Sequence, residues 1–216
     1  QEMQSQGRLR SVDEWISFAH QMKDAGTLFL LLTGGEPLLF PQFKELYCAL
    51  KDMGMILTLN TNGTLINEEW AEFFAKNKPR RINITLYGSK NETYENLCHM
   101  KDGFDKTIRG IELLKKYKID VKINGSLVKK NFHDRMEIID IGEKYDIPVR
   151  IDTYMYPSVR ERTTPFNFQE RLNPEDAAKA RVEILHREMG DELFEQYAKQ
   201  TIYLAEHTEE GDACPG

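Results

Sequence analysis

The sequence predicts an α/β protein: an incomplete barrel of parallel strands with a polar inner face, followed by a C-terminal helical extension. Three observations predict it. Short apolar strands alternate with helical patterns, the strands split their side chains into an apolar and a polar set, and two glycines followed by an acid close the first strand.

Residues 11–25 read as a helix, with Ser11 as its cap, Glu14 three residues on, and Trp15, Phe18, Ala19 and Met22 sharing one face. A buried strand is expected at 28–33 and a helix near 42–53, ended by Gly54. Strand and helix pairs follow at 56–61 and 67–76, at 81–87 and 104–118, and at 120–128 and 134–145, with a fifth strand through 149–155. Such repeated strand–helix units build parallel sheets with right-handed crossovers. Asn173-Pro174 opens a helix to about Met189, with more helix near 191–206. A boundary is expected between Pro157 and Pro165, giving a core over 1–157 and an extension over 158–216.

The alternation within strands narrows the fold. Val121, Ile123 and Leu127 oppose Lys122, Asn124 and Ser126; Ile82, Ile84 and Leu86 oppose Asn83, Thr85 and Tyr87. Leu57 and Leu59 oppose Thr58, Asn60 and Asn62, and Val149 and Ile151 oppose Arg150 and Asp152. A closed barrel fills its interior with branched apolar side chains, and a doubly wound sheet is covered on both faces. A polar face shared by four strands suits instead a wide or incomplete barrel whose lumen holds water and a large polar ligand. A sheet with one solvated face is the alternative.

Bulk properties remove several function classes. With 29 Lys and Arg against 35 Asp and Glu in 216 residues, the chain carries a net charge of −6, which argues against general nucleic-acid binding. No apolar run is long enough to cross a membrane and no signal-peptide pattern opens the chain, so the reading is cytoplasmic, with no membrane partner. Cys48, Cys98 and Cys214 are odd in number and far apart, which fits neither a disulfide framework nor a self-contained zinc site. His20, His99, His133, His186 and His207 lack metal-ligand spacing. Tyr154, Tyr156 and the segment Arg160 to Arg162 follow the last strand, where they could meet substrate.

Gly34 and Gly35 fall at the carboxyl end of the first strand, where α/β proteins bind ligands. Without Cβ atoms the backbone there turns sharply and approaches a ligand closely. Glu36 then offers a carboxylate, which calls for a cationic group such as an ammonium; no Lys follows, so this is not a phosphate loop.

Thr33-Gly34-Gly35-Glu36-Pro37 resembles the GGE motif of radical S-adenosylmethionine (radical SAM) enzymes, which binds the SAM amino group. Thr61-Asn62-Gly63-Thr64 resembles the family's TNG strand ending, and Ile84-Thr85-Leu86-Tyr87-Gly88 the strand that meets the ribose and carboxylate of SAM. The resemblance covers about residues 10–157 and implies a partial (β/α)6 TIM-type barrel. It implies SAM contacts at Gly34, Gly35, Glu36, Asn62, Thr85, Lys122, Asn124 and Asp152, the later strands meeting adenine and the methionyl carboxylate. It further implies a [4Fe-4S] cluster, a 5'-deoxyadenosyl radical that abstracts hydrogen, a peptide or protein substrate, and an electron donor such as a flavodoxin or ferredoxin. The family's CxxxCxxC loop is absent from these 216 residues. The expectation is that Gln1 lies just downstream of that loop, or that the loop was lost in a degenerate copy, which leaves this chain alone inactive. Gly211 to Gly216, with Cys214, resembles the entrance to a SPASM or twitch extension that binds auxiliary clusters. Two other classes stay open: a scaffold that kept the fold and lost the cluster, and an ordinary barrel lyase or isomerase.

Overall fold

A computed structural model describes residues 9–155 and 170–207. The chain divides into two compact units, Gln1–Asp152 and Thr153–Gly216.

The first unit opens with α1 (Val12–Asp24), whose start is the capping box the sequence announces. Ser11 Oγ accepts from the Glu14 amide at 3.2 Å, and the Glu14 carboxylate accepts from the Ser11 amide at 2.8 Å. Five strands follow: β1 (Phe29–Leu32), β2 (Ile56–Thr61), β3 (Arg81–Thr85), β4 (Val121–Ser126) and β5 (Val149–Asp152). All pair in parallel, in the order of the chain. The connections carry α2 (Phe43–Asp52), α3 (Glu68–Lys76), α4 (Asn91–Cys98), α5 (Gly103–Lys116) and α6 (Arg135–Tyr145). The short α4 buries only Thr93 and Tyr94 of its eight residues, so no apolar stripe marks its bounds in the sequence.

One face of the sheet is apolar and buried, through Leu57, Leu59, Ile82, Ile84, Val121, Ile123 and Ile151. Helix residues Tyr47, Leu50, Phe74, Ile111, Leu114 and Ile138 are buried with them. Between α2 and α3, the rings of Phe43, Tyr47, Trp70, Phe73 and Phe74 interlock with centroids 5.4–5.9 Å apart. The other face alternates to half-buried polar residues, as the sequence predicts for β2 to β4.

The first strand corrects an expectation. It is not buried on both faces: Phe29 and Leu31 are 60% and 52% exposed, because in register they share the face of Thr58 and Asn60 that the helices leave uncovered. Leu30 and Leu32 face the other way, into a groove of about 410 Å³ lined also by Trp15, Met22 and Leu46.

In the second unit, Asn173 Oδ1 accepts from the Asp176 amide at 2.7 Å and so caps α7 (Pro174–His207). Gly190 sits at φ 74 within it and divides it into the two helical stretches the sequence separates near that point. The stretch from Pro157 to Pro165, Tyr156, Arg160 to Arg162 and Cys214 lie outside the described residues. Among the described residues no helix is long and apolar enough to cross a membrane.

Candidate functional site

The site begins where β1 ends. Gly34 has φ +156, a backbone that side-chain-bearing residues rarely adopt. Gly35 has no such demand, and nothing lies within 4 Å of where its Cβ would stand. Packing therefore does not explain that glycine, and the space above it is open to a ligand.

Glu36 follows and caps the 3₁₀ turn Pro37–Leu39. Its side chain is half-buried and engaged: Oε1 accepts from the Leu38 amide at 3.1 Å and from Thr61 Oγ1 at 2.7 Å, and Oε2 accepts from the Asn62 amide at 2.8 Å. A carboxylate offers roughly four acceptor positions, so one remains on Oε2 for an incoming donor. The motif at the end of β2 is held in turn. Asn62 Oδ1 accepts from the Thr64 amide at 2.9 Å and Thr64 Oγ1 at 2.7 Å, closing an Asx turn over Gly63 at φ +76. Thr107 Oγ1 of α5 donates to the Asn62 carbonyl at 3.2 Å. The two motifs that stand apart in the sequence are one hydrogen-bonded unit in space.

The polar face continues across the sheet in register rows. Thr85 is paired with Asn124 and Asn124 with Arg150; beneath them Asn60 is paired with Asn83 and Asn83 with Lys122. Asn83 Nδ2 donates to Asn60 Oδ1 at 2.7 Å. Asp152 lies next to Ser126 in register and meets Arg150 Nε at 3.2 Å, exposed. Glu36 and Asn62 are thus in direct contact, Thr85 and Asn124 are side by side, and Lys122 and Asp152 lie further away from that pair. Burial raises the Tyr87 phenol, with smaller contributions from Cys98 and from the Glu36 carboxylate, so Tyr87 lies within electrostatic reach of Glu36.

Two residues that sequence reasoning did not single out hold the loops at this end. Asn131, fully buried, accepts from the Val128 amide at 2.7 Å and donates to the carbonyls of Tyr87 at 2.9 Å and Ser126 at 3.1 Å. Asp134, 2% exposed, accepts from the Ser89 amide at 2.9 Å and from Thr93 Oγ1 at 2.5 Å, and meets His133 Nε2 at 3.1 Å. Their only sequence signal is a pair of polar residues in a loop, which any solvated turn also shows.

Iron–sulfur ligation finds no donor set among the described residues. No group of three or more His, Cys, Asp or Glu there could hold a metal ion. Cys48 and Cys98 are separate thiols on α2 and α4, and burial pushes the Cys98 thiol up, away from the thiolate a metal needs. A cluster does not fit these residues, whereas a zwitterionic ligand with an ammonium group fits the open position beside Glu36.

Residues 2–142 match the family model of the Radical SAM superfamily. The chain belongs to that superfamily, and the reading as an unrelated barrel lyase or isomerase falls away. The AdoMet-dependent heme synthase of Methanosarcina barkeri is 30% identical over 167 residues, 76% of this chain and 48% of that protein. The cysteine-type anaerobic sulfatase-maturating enzyme of Clostridium perfringens (strain 13) is 37% identical over 125 residues, 53% of this chain and 30% of that enzyme. The chain therefore spans about half, or less, of the curated relatives it matches. Among solved structures, native anSMEcpe with bound AdoMet and Cp18Cys peptide matches with TM-score 0.67 and 23% identity, over 83% of this chain and 52% of that one. Streptococcus suis SuiB bound to S-adenosylmethionine matches with TM-score 0.64 and 20% identity, over 94% of this chain and 42% of that one. At these identities the structural likeness shows a shared fold, the partial parallel barrel.

Proposed function

We propose that this chain is the SAM-binding core of a radical SAM enzyme that modifies a peptide or protein. The observation that carries the reading is the Glu36 carboxylate, half-buried beside Gly34 and Gly35 with one acceptor position open. Glu36 would hold the SAM ammonium by a charge-assisted hydrogen bond. Gly34 and Gly35 leave room for it to approach, while Asn62, Thr85, Asn124 and Asp152 offer polar groups along the same strand ends. A reduced [4Fe-4S] cluster, for which the described residues offer no ligand set, would with SAM supply a carbon-centred radical for hydrogen abstraction, with electrons from a donor such as a flavodoxin or ferredoxin. The chain's own share is to bind, orient and exclude water. A peptide substrate draws support from the peptide-bound solved relatives, anSMEcpe with Cp18Cys peptide and SuiB with its precursor peptide SuiA. Residues 158–216 are then the extension toward a SPASM or twitch domain, with Cys214 a candidate auxiliary-cluster ligand.

Calorimetric titration of SAM into the purified chain and into its Glu36→Gln variant tests the reading. The variant should bind about tenfold to a hundredfold more weakly, the worth of one charge-assisted hydrogen bond at ~1.5–3 kcal/mol. Folding of the variant is followed in the same samples, so that lost affinity is not lost structure. Equal affinities of the two folded proteins would remove Glu36, and with it the reading, from SAM binding.

A further inference from the structure

The polar face carries a cation that the contacts around Glu36 do not employ. Lys122 is the second residue of β4, two residues before Asn124 and so about 6.6 Å nearer the strand's start, at ~3.3 Å per residue. Its neighbours on the same face are Arg81 of β3 and Arg150 of β5. Each of those is answered by an aspartate, Arg81 by Asp120 at 2.9 Å and Arg150 by Asp152 at 3.2 Å. Lys122, between them, is half-buried and makes no ion pair or hydrogen bond with any described residue. In register beside it is Asn83 of β3, with Asn60 of β2 one strand further on. Asn83 Nδ2 spends one N–H on the Asn60 side-chain oxygen, which leaves Asn83 a second amide N–H to offer.

An ammonium half withdrawn from water, without a counter-charge and beside amide donors, is a site for an anion. A substrate carboxylate answers Lys122 better than the SAM carboxylate that the resemblance assigns to this region of the sheet. In an amino acid the ammonium and carboxylate hang on one carbon, and Glu36 takes the ammonium at the ends of β1 and β2. Lys122 lies two strands from β2, about 9.6 Å at ~4.8 Å per strand, and deeper along the face. Nor is the site built for phosphate, which gathers helix N-termini, backbone nests or several cations.

We propose that Lys122, assisted by the Asn83 amide beside it, binds a carboxylate of the substrate, so that the substrate class is carboxylate-bearing. The proposal rests on the reading of this face as the ligand cavity. Glutarate and N-acetyl-glutamate amide serve as probes, one for a small acid and one for an acidic peptide side chain, titrated against amide NMR spectra of the whole chain. Binding should perturb the amides of Asn83, Lys122 and Asn124, weaken at least tenfold in Lys122→Gln, and return in Lys122→Arg. The tighter probe identifies the source of the carboxylate. Neutral glutaramide should leave those amides unmoved. Shifts that survive in Lys122→Gln, or that glutaramide reproduces, would overturn the proposal. So would a loss of SAM affinity in Lys122→Gln equal to its loss of glutarate affinity, because Lys122 would then serve SAM. Lys122-dependent glutarate binding in a chain that fails to bind SAM would uphold the site and defeat only the SAM reading.

Discussion

Glu36, proposed above as the ligand of an ammonium group, is also a fastener between β1 and β2. Its carboxylate accepts from Leu38, Thr61 and Asn62, and a glutamine cannot accept on both sides at once. In Glu36→Gln an NH₂ group is set against either the Asn62 amide or the Thr61 and Leu38 donors. The variant should therefore lose about 1–3 kcal/mol of stability by urea unfolding, the cost of a part-buried donor left unmet. An unchanged midpoint and slope would show that these bonds do not hold the two motifs together. The sequence made the acid legible and its partners illegible. Position after two glycines marks a ligand-facing carboxylate, but Thr61 and Asn62 lie 25 and 26 residues onward, and nothing in a one-dimensional pattern reports where a side chain turns. Sequence reasoning accordingly aimed the whole carboxylate at the ligand, where the structure leaves it one acceptor position.

At the scale of elements, strands and long helices were legible because period-2 and period-3.6 burial is what makes them form. β2, β3 and β4 begin and end within a few residues of expectation, and Gly190 breaks α7 at the predicted junction. A buried β1 is the natural reading of four consecutive apolar residues, which look the same whether one face of the strand is covered or both. The fastening of α5 beneath the Asn62-Gly63 turn was likewise invisible. A Cβ on Gly110 would stand 2.5 Å from the Gly63 carbonyl oxygen, a backbone atom that cannot swing aside. Gly110→Ala should therefore push the turn away from α5, costing about 1–3 kcal/mol as overpacking does. Amide NMR shifts at Asn62, Gly63 and Thr64 would accompany the loss. A variant as stable as the parent, with those amides unmoved, would mean the contact has slack.

For the whole molecule, buried phenols set an alkaline limit. Burial is the main cause that raises Tyr94 from 10.0 to about 12, and burial raises Tyr47 further still. A phenol with a higher pKa folded than unfolded favours the folded state fully below pH 10. Above that the unfolded chain ionises first, and the contribution is gone once pH passes the folded value. Stability measured by urea unfolding should fall between pH 10 and about 12, and Tyr94→Phe should flatten that fall. The variant should also lose about 0.5–1.5 kcal/mol at pH 7, since the Tyr87 amide donates to the Tyr94 hydroxyl at 3.2 Å. A fall of the same steepness in Tyr94→Phe would assign the limit to other groups. The flank of β1 has a different consequence. With Phe29 and Leu31 more than half exposed and a single strand neighbour among the described residues, its backbone row is a template to which an extended, greasy peptide can adhere, another copy included. Preparations of this chain by itself thus have a colloidal weak point that folding stability does not govern: concentration and the company the chain keeps decide whether it stays dispersed.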